Sequence, residues 1–135
     1  MMAVIVIAED EIHIARVVGL WLRRAGHEVH EGLNGRQALE LVRKHQPDLL
    51  ITDVNMPAMD GIELIMTCGE EKLPKLGTIV LTSRCDQAAI ARRLEGLEVL
   101  LHPKPFSPTK LTKEVEHLLS RTSEELVNGE RLALG

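Results

Sequence analysis

Short apolar runs rich in β-branched residues alternate along this chain with longer segments of helical periodicity, and that alternation constrains the fold more than any other feature. The runs are "AVIVIA" (3–8), "HEVHE" (27–31), "DLLIT" (48–52), "TIVLT" (78–82) and "EVLLH" (98–102). Between them lie "EIHIARVVGLWLRRAG", "GRQALELVRKH", "GIELIMTCGEEKL" and "DQAAIARRLEG", and "SPTKLTKEVEHLLSR" follows the last. Each of these carries apolar residues at i, i+3, i+4 spacing, as in Leu39 with Val42 or Ile12 with Ala15. Gly26, Gly35 and Gly96 mark helix ends, and Pro47 and Pro108 mark the starts of elements. Strand and helix in strict alternation predict an α/β fold, a parallel sheet with helices on both faces. The nearly continuous apolar character of three of the strands agrees, since such strands are covered on both sides.

A chain of 135 residues has room for one domain with one sizeable core. The domain is expected over 1–121, with 122–135 a helix extension or linker stub. A formal charge of −4 offers no general attraction to nucleic acid or to an anionic membrane. Arg92 and Arg93, with Arg84, read as a solvated helix face or a docking surface rather than a DNA contact. The opening "MMAVIVIAEDE" lacks a basic flank and turns acidic after too short an apolar run to be a leader or a span, so a cytoplasmic protein is expected. Cys68 and Cys85 lack CxxC spacing and read as reduced thiols. "HEVH" invites a metal reading, but on a strand His27 and His30 point to opposite faces, and all six histidines are taken as non-ligands. Trp21 reads as a partly buried anchor of the first helix.

The polar residues fall at one rim of this frame. Glu9 and Asp10 follow the first strand, Asp53 follows "DLLIT", Thr82 ends the fourth strand and Lys104 follows the fifth, whereas the second ends in "HEGLNG" with nothing comparable. Ligands of open parallel sheets bind outside the carboxyl ends of the strands where the strand order reverses, so the distribution fits an order 2-1-3-4-5. Three carboxylates crowded together repel one another, and a bound cation is a usual remedy. Oxygen donors alone favour Mg²⁺ over zinc, with Asp10, Asp53 and a backbone carbonyl near Asn55 as ligands. A carboxylate can attack phosphorus to give an acyl phosphate if cations and donors meet the charge on the transferred oxygens. Asp53 suits the nucleophile, Lys104 the compact cation and Thr82 the hydroxyl donor.

From about Ala3 to Arg121 the chain resembles the receiver domain of two-component response regulators, of the single-domain, chemotaxis-regulator-like kind. The matching pieces are "IAEDE", "LLITDVNMPAMDGIEL", "VLTSR" and "KPF", in order and each at a strand end. The resemblance implies a doubly wound, flavodoxin-like sheet with five helices. It implies phosphoryl transfer to Asp53 from a histidine kinase or a histidine phosphotransfer protein. Mg²⁺ would be bound by Glu9, Asp10, Asp53 and the Asn55 main chain, with Thr82 and Lys104 on the phosphoryl group. It also implies a cis Lys104–Pro105 bond, a loop carrying Pro57 and Gly61, and a switch that catalyses only its own phosphorylation and dephosphorylation. No output domain is legible after the last helix. The signal is therefore expected to pass to a separate target protein, back to a kinase, or through a homodimer formed by the fourth helix, fifth strand and fifth helix, unless the chain is a truncated piece that has lost an output domain.

Two positions depart from the family pattern. Leu101 stands where the family carries Tyr or Phe, and Pro103 directly precedes the lysine, so "HPKPF" should be stiff. Arg84 and Asn55 border the site and are expected to tune hydrolysis of the acyl phosphate. Other function classes fit less well. A phosphatase of the haloacid-dehalogenase-like kind needs a second aspartate as general acid where Asn55 stands. A nucleotide site would need a glycine-rich first loop, and "AEDE" is anionic. A receiver-like protein-binding module that is never phosphorylated stays open because of Leu101.

Overall fold

The computed structural model describes residues 2–71, 74, 77–83, 86–97, 99–104 and 107–120. Among them five strands and five helices alternate: β1 (Val4–Ala8), α1 (Ile12–Arg24), β2 (Glu28–Gly32), α2 (Gly35–His45), β3 (Leu49–Asp53), α3 (Gly61–Glu70), β4 (Gly77–Ser83), α4 (Gln87–Arg93), β5 (Val99–Lys104) and α5 (Pro108–Leu119). The sheet is parallel throughout with the order β2-β1-β3-β4-β5, as the placement of the polar residues predicts. Arg84, Cys85, the Lys104–Pro105 bond and the tail at 122–135 lie outside the described residues.

Alternation along the strands sends successive side chains to opposite faces and builds two cores. Ile5, Ile7, Leu49, Ile51, Ile79 and Leu81 pack with Val18 and Leu22 of α1 and Leu111, Val115 and Leu118 of α5. Val6, Ala8, Leu50 and Val80 pack on the other face with Leu39 and Val42 of α2, Leu64 and Ile65 of α3 and Ile90 of α4. Burying one such leucine or isoleucine fully is worth about 1.5–3 kcal/mol.

Helix starts follow their capping residues. Asn34 Oδ1 accepts from the Gln37 amide at 2.9 Å and opens α2. Asp60 Oδ1 accepts from the Glu63 amide at 2.8 Å, and Glu63 reaches back to the Asp60 amide, a capping box for α3. Ser107 caps α5, whose first residue is Pro108. No side chain caps the seven-residue α4.

Two details differ from the sequence expectations. β5 runs on through Pro103 to Lys104, because an edge strand tolerates a residue without an amide hydrogen. Ile12 and Trp21 are each 40% exposed; the buried stripe of α1 is Ala15, Val18, Gly19 and Leu22, so the pair Ile12 and Ala15 does not share its core face. Gly35 opens α2, the first residue of the helical segment "GRQALELVRKH" as expected, and there a β-carbon would collide with the Met59 backbone.

Candidate functional site: an acidic rim closed by one lysine

The carboxyl ends of β1, β3, β4 and β5 bring together Glu9, Asp10, Asp53, Thr82 and Lys104. Asp53 is the last residue of β3, and Lys104 the last of β5, paired in register with Ser83. The Lys104 ammonium lies 3.0 Å from Glu9 Oε1 and 3.1 Å from Asp53 Oδ2, bridging two strands. The other Asp53 oxygen, Oδ1, accepts from the Val54 amide at 2.8 Å, and the other Glu9 oxygen accepts from the Glu11 amide at 3.1 Å. Oxygens of Glu9, Asp10 and Asp53 all lie within 4.8 Å of one another.

Burial sets the electrostatics. Glu9 has no exposed surface, and this desolvation, reinforced by the neighbouring Asp53 charge, pushes its carboxyl up to about 7 despite the bonds from Lys104 and the Glu11 amide. Burial acts on Lys104 in the opposite sense, towards a lower value, but its hydrogen bonds to Glu9 and Asp53 prevail and hold the ammonium above the usual lysine range. The rim thus has more carboxylate than one lysine can neutralise. An all-oxygen cluster with a proton to give up fits a hard dication such as Mg²⁺.

The loop after Asp53 is gripped tightly. The Gly61 amide donates to the Val54 carbonyl at 2.7 Å, and a β-carbon on Gly61 would run into the Asp53 carbonyl oxygen. Between them Ala58 takes a left-handed conformation, with φ 69°. Beside Asp53 a cavity of about 250 Å³ opens toward α4, lined among others by Asn55, Thr82, Asp86, Ala89 and Arg93. Thr82 is buried, and its hydroxyl donates to the Ser83 carbonyl at 3.3 Å. Asp86 is held by the Ser83 hydroxyl at 2.8 Å.

Each expected site residue within reach of description is therefore at the rim or in the cavity beside it. Glu9, Asp53 and Lys104 are in direct contact, Asp10 is clustered with them, and Thr82 and Asn55 line the cavity. Sequence reasoning missed Arg93 and Asp86 as cavity residues. The spacing of Asp86, Ala89 and Arg93, which share one helical face, was the available signal.

The comparisons with known proteins agree. The sequence profile of the response regulator receiver domain matches residues 5–116. The transcriptional regulatory protein SrrA of Staphylococcus aureus is 33% identical over 126 residues, covering 91% of this chain and 50% of SrrA. The chain thus spans about half the length of the curated relatives it matches. Among solved structures, the chemotaxis response regulator CheY4 of Vibrio cholerae superposes with a TM-score of 0.77 at 29% identity, covering 87% of this chain and 99% of CheY4. The signal receiver domain of a signal transduction histidine kinase from Syntrophus aciditrophicus gives 0.76 at 32% identity, covering 90% of this chain and 95% of that one. Such receiver domains are signal switches rather than enzymes that turn over a substrate. With its strand order, its acidic rim and these similarities in agreement, the chain belongs to the receiver domains of the two-component response regulators.

Proposed function

We propose that this chain is a cytoplasmic phospho-acceptor switch in which Asp53 takes a phosphoryl group from a histidine kinase or a histidine phosphotransfer protein. The observation that carries the reading is the Lys104 ammonium held between Asp53 and Glu9 at 3.1 and 3.0 Å, beside an open cavity. An Asp53 oxygen attacks phosphorus, a new O–P bond forms, and the P–N bond to the donor imidazole breaks. Lys104 offsets the charge on the transferred oxygens, and the Thr82 hydroxyl turns from the Ser83 carbonyl toward them. Glu9, Asp10, Asp53 and the Asn55 main-chain carbonyl would hold Mg²⁺, which would supply charge neutralisation at the phosphoryl oxygens.

Phosphorylation leaves a dianionic group where a carboxylate stood, and α4, without a side-chain cap, is the element beside it best placed to respond. Leu101, half-buried on β5, fills the position where the family has an aromatic and packs against the α4-side core. The α4/β5 surface, with Ala91, Leu94, Leu97 and Leu101 around a hollow of about 360 Å³, is then the face that a target protein or a second copy reads. An unchanged sedimentation profile after full phosphorylation would exclude the second copy.

Intact-mass spectrometry after treatment with acetyl phosphate and Mg²⁺ tests the reading, beside Asp53→Asn and EDTA controls. One phosphoryl adduct in the wild type alone, dependent on Mg²⁺, is expected. No adduct when an active receiver labels under the same conditions, and none on stopping within seconds, would identify a binding module that keeps the shape of the site without its use.

A further inference from the structure

Away from the acidic rim, the fold gathers a second set of ligand-type side chains: Glu28 and His30 on the edge strand β2, and His45, the last residue of α2. Their ligating atoms all lie within 4.8 Å of one another. The His30 and His45 rings stack with centroids 3.6 Å apart and 10° between planes. His30 Nε2 is 2.7 Å from a Glu28 carboxylate oxygen.

Regular elements hold all three. Glu28 and His30 are two apart on a strand and share a face, in register with Val4 and Val6 of β1. Gln46, left-handed at φ 45°, ends α2 directly after His45, and its amide donates to the Val42 carbonyl at 2.9 Å. Asp48 then ties the chain back to β1, its Oδ2 accepting from the Val4 amide at 2.9 Å. Both halves of the cluster are thus anchored on Val4, and such preorganisation is what a ligand set needs.

The plain alternative is a surface His–Glu pair with a second ring lying on it. The cluster, however, draws three donor-bearing side chains from two different elements to one place, with His45 brought against the His30–Glu28 pair from across the α2–β2 packing. Neutral imidazoles beside a carboxylate are the donor set of zinc-class ions. Tetrahedral ligands at about 2.0–2.1 Å from the metal stand about 3.3 Å apart, so binding one ion turns the two rings out of their stack until their nitrogen lone pairs converge.

We propose that Glu28, His30 and His45 form a second metal site, for a transition-metal dication of the zinc class, with solvent completing the coordination. It departs from the sequence expectation that no histidine is a ligand, since His45 reaches His30 only through the packing of α2 on β2. The set begins at the amino end of β2, whereas Asp53 lies at the carboxyl end of β3. Nitrogen donors here and oxygen donors at the rim would sort two metals between two places. A bound ion would cross-link the edge strand to α2 and stabilise the fold by mass action.

The test is calorimetric titration of Zn²⁺ into the full chain with Mg²⁺ in excess, so that hard-cation sites are filled. One equivalent is expected in the wild type and in His117→Gln, with affinity falling by about tenfold or more in His30→Gln, His45→Gln and Glu28→Gln. Histidine ring resonances provide a readout within the wild type: those of His30 and His45 shift with Zn²⁺ while those of the buried His27 and His102 stay. Absence of binding in the wild type, unweakened binding in the two histidine variants, or unmoved His30 and His45 resonances would each overturn the proposal.

Discussion

Glu9→Gln should flatten the pH dependence of stability. The carboxyl sits near 4.5 when solvated and about 7 in the folded chain, so the native state holds this proton more tightly than the unfolded state. The contribution is fully present below the unfolded value and is lost as pH rises through the folded one. The shift from 4.5 to about 7 corresponds to about 3 kcal/mol at about 1.4 kcal/mol per unit. With no exposed surface on Glu9, solvent screening removes little of it. Urea unfolding followed by far-ultraviolet circular dichroism, in EDTA, gives the stability of both proteins. Wild type minus Glu9→Gln should fall by about 2–3 kcal/mol between about pH 5 and about pH 8, whatever the constant offset between them. The raised Lys104 value lies above this window and does not interfere. Adding Mg²⁺ should shrink the slope, because a cation at the rim favours the carboxylate. A flat difference curve in EDTA would refute the reasoning that desolvation at Glu9 governs the rim.

Lys104→Met should cost about 2–3 kcal/mol at about pH 8, where Glu9 and Asp53 are left facing each other as anions, and much less at about pH 5, where Glu9 takes up a proton; equal losses at both pH values in urea unfolding would contradict this. Gly61→Ala should destabilise by about 1–3 kcal/mol and weaken Mg²⁺ binding, because the added methyl pushes against the Asp53 carbonyl, and a variant with wild-type melting and Mg²⁺ affinity would argue against that contact. Asp60→Ala removes the α3 cap and should lower stability by about 1 kcal/mol in thermal melts; no change would mean that Glu63 and solvent satisfy the helix start.

Much of the site was legible because it depends on where strands end, and strand ends are marked by abrupt changes from apolar to charged residues. Asp53 after "LLIT" and Glu9 after "VIVIA" place themselves in this way, and the strand order follows from which ends carry charge. What depends on the azimuth of a helix or on packing between distant segments was not legible. Ile12 and Trp21 fit an apolar stripe by spacing, yet the stripe that docks is centred on Val18 and Leu22. Arg93 reads as a surface charge until α4 lies over Asp53 and turns it to the cavity. Lys104 at the end of a strand that contains Pro103 contradicts local propensity, and only its edge position makes it tolerable. The meeting of His30 and His45 depends on the seating of α2 against β2, to which no local pattern points.

Among the described residues the two cores share no side chain. One holds α1 and α5 to the sheet and the other holds α2, α3 and α4, so the sheet works as a bulkhead between separate compartments. The buried His27, which accepts from the Ala3 amide at 3.1 Å and meets Glu116 of α5 at 3.0 Å, belongs to the first compartment, and the cavity beside Asp53 opens into the second. Rearrangement of α4 can then proceed without loosening the packing under α1. Loosening one compartment leaves the foundations of the opposite face in place.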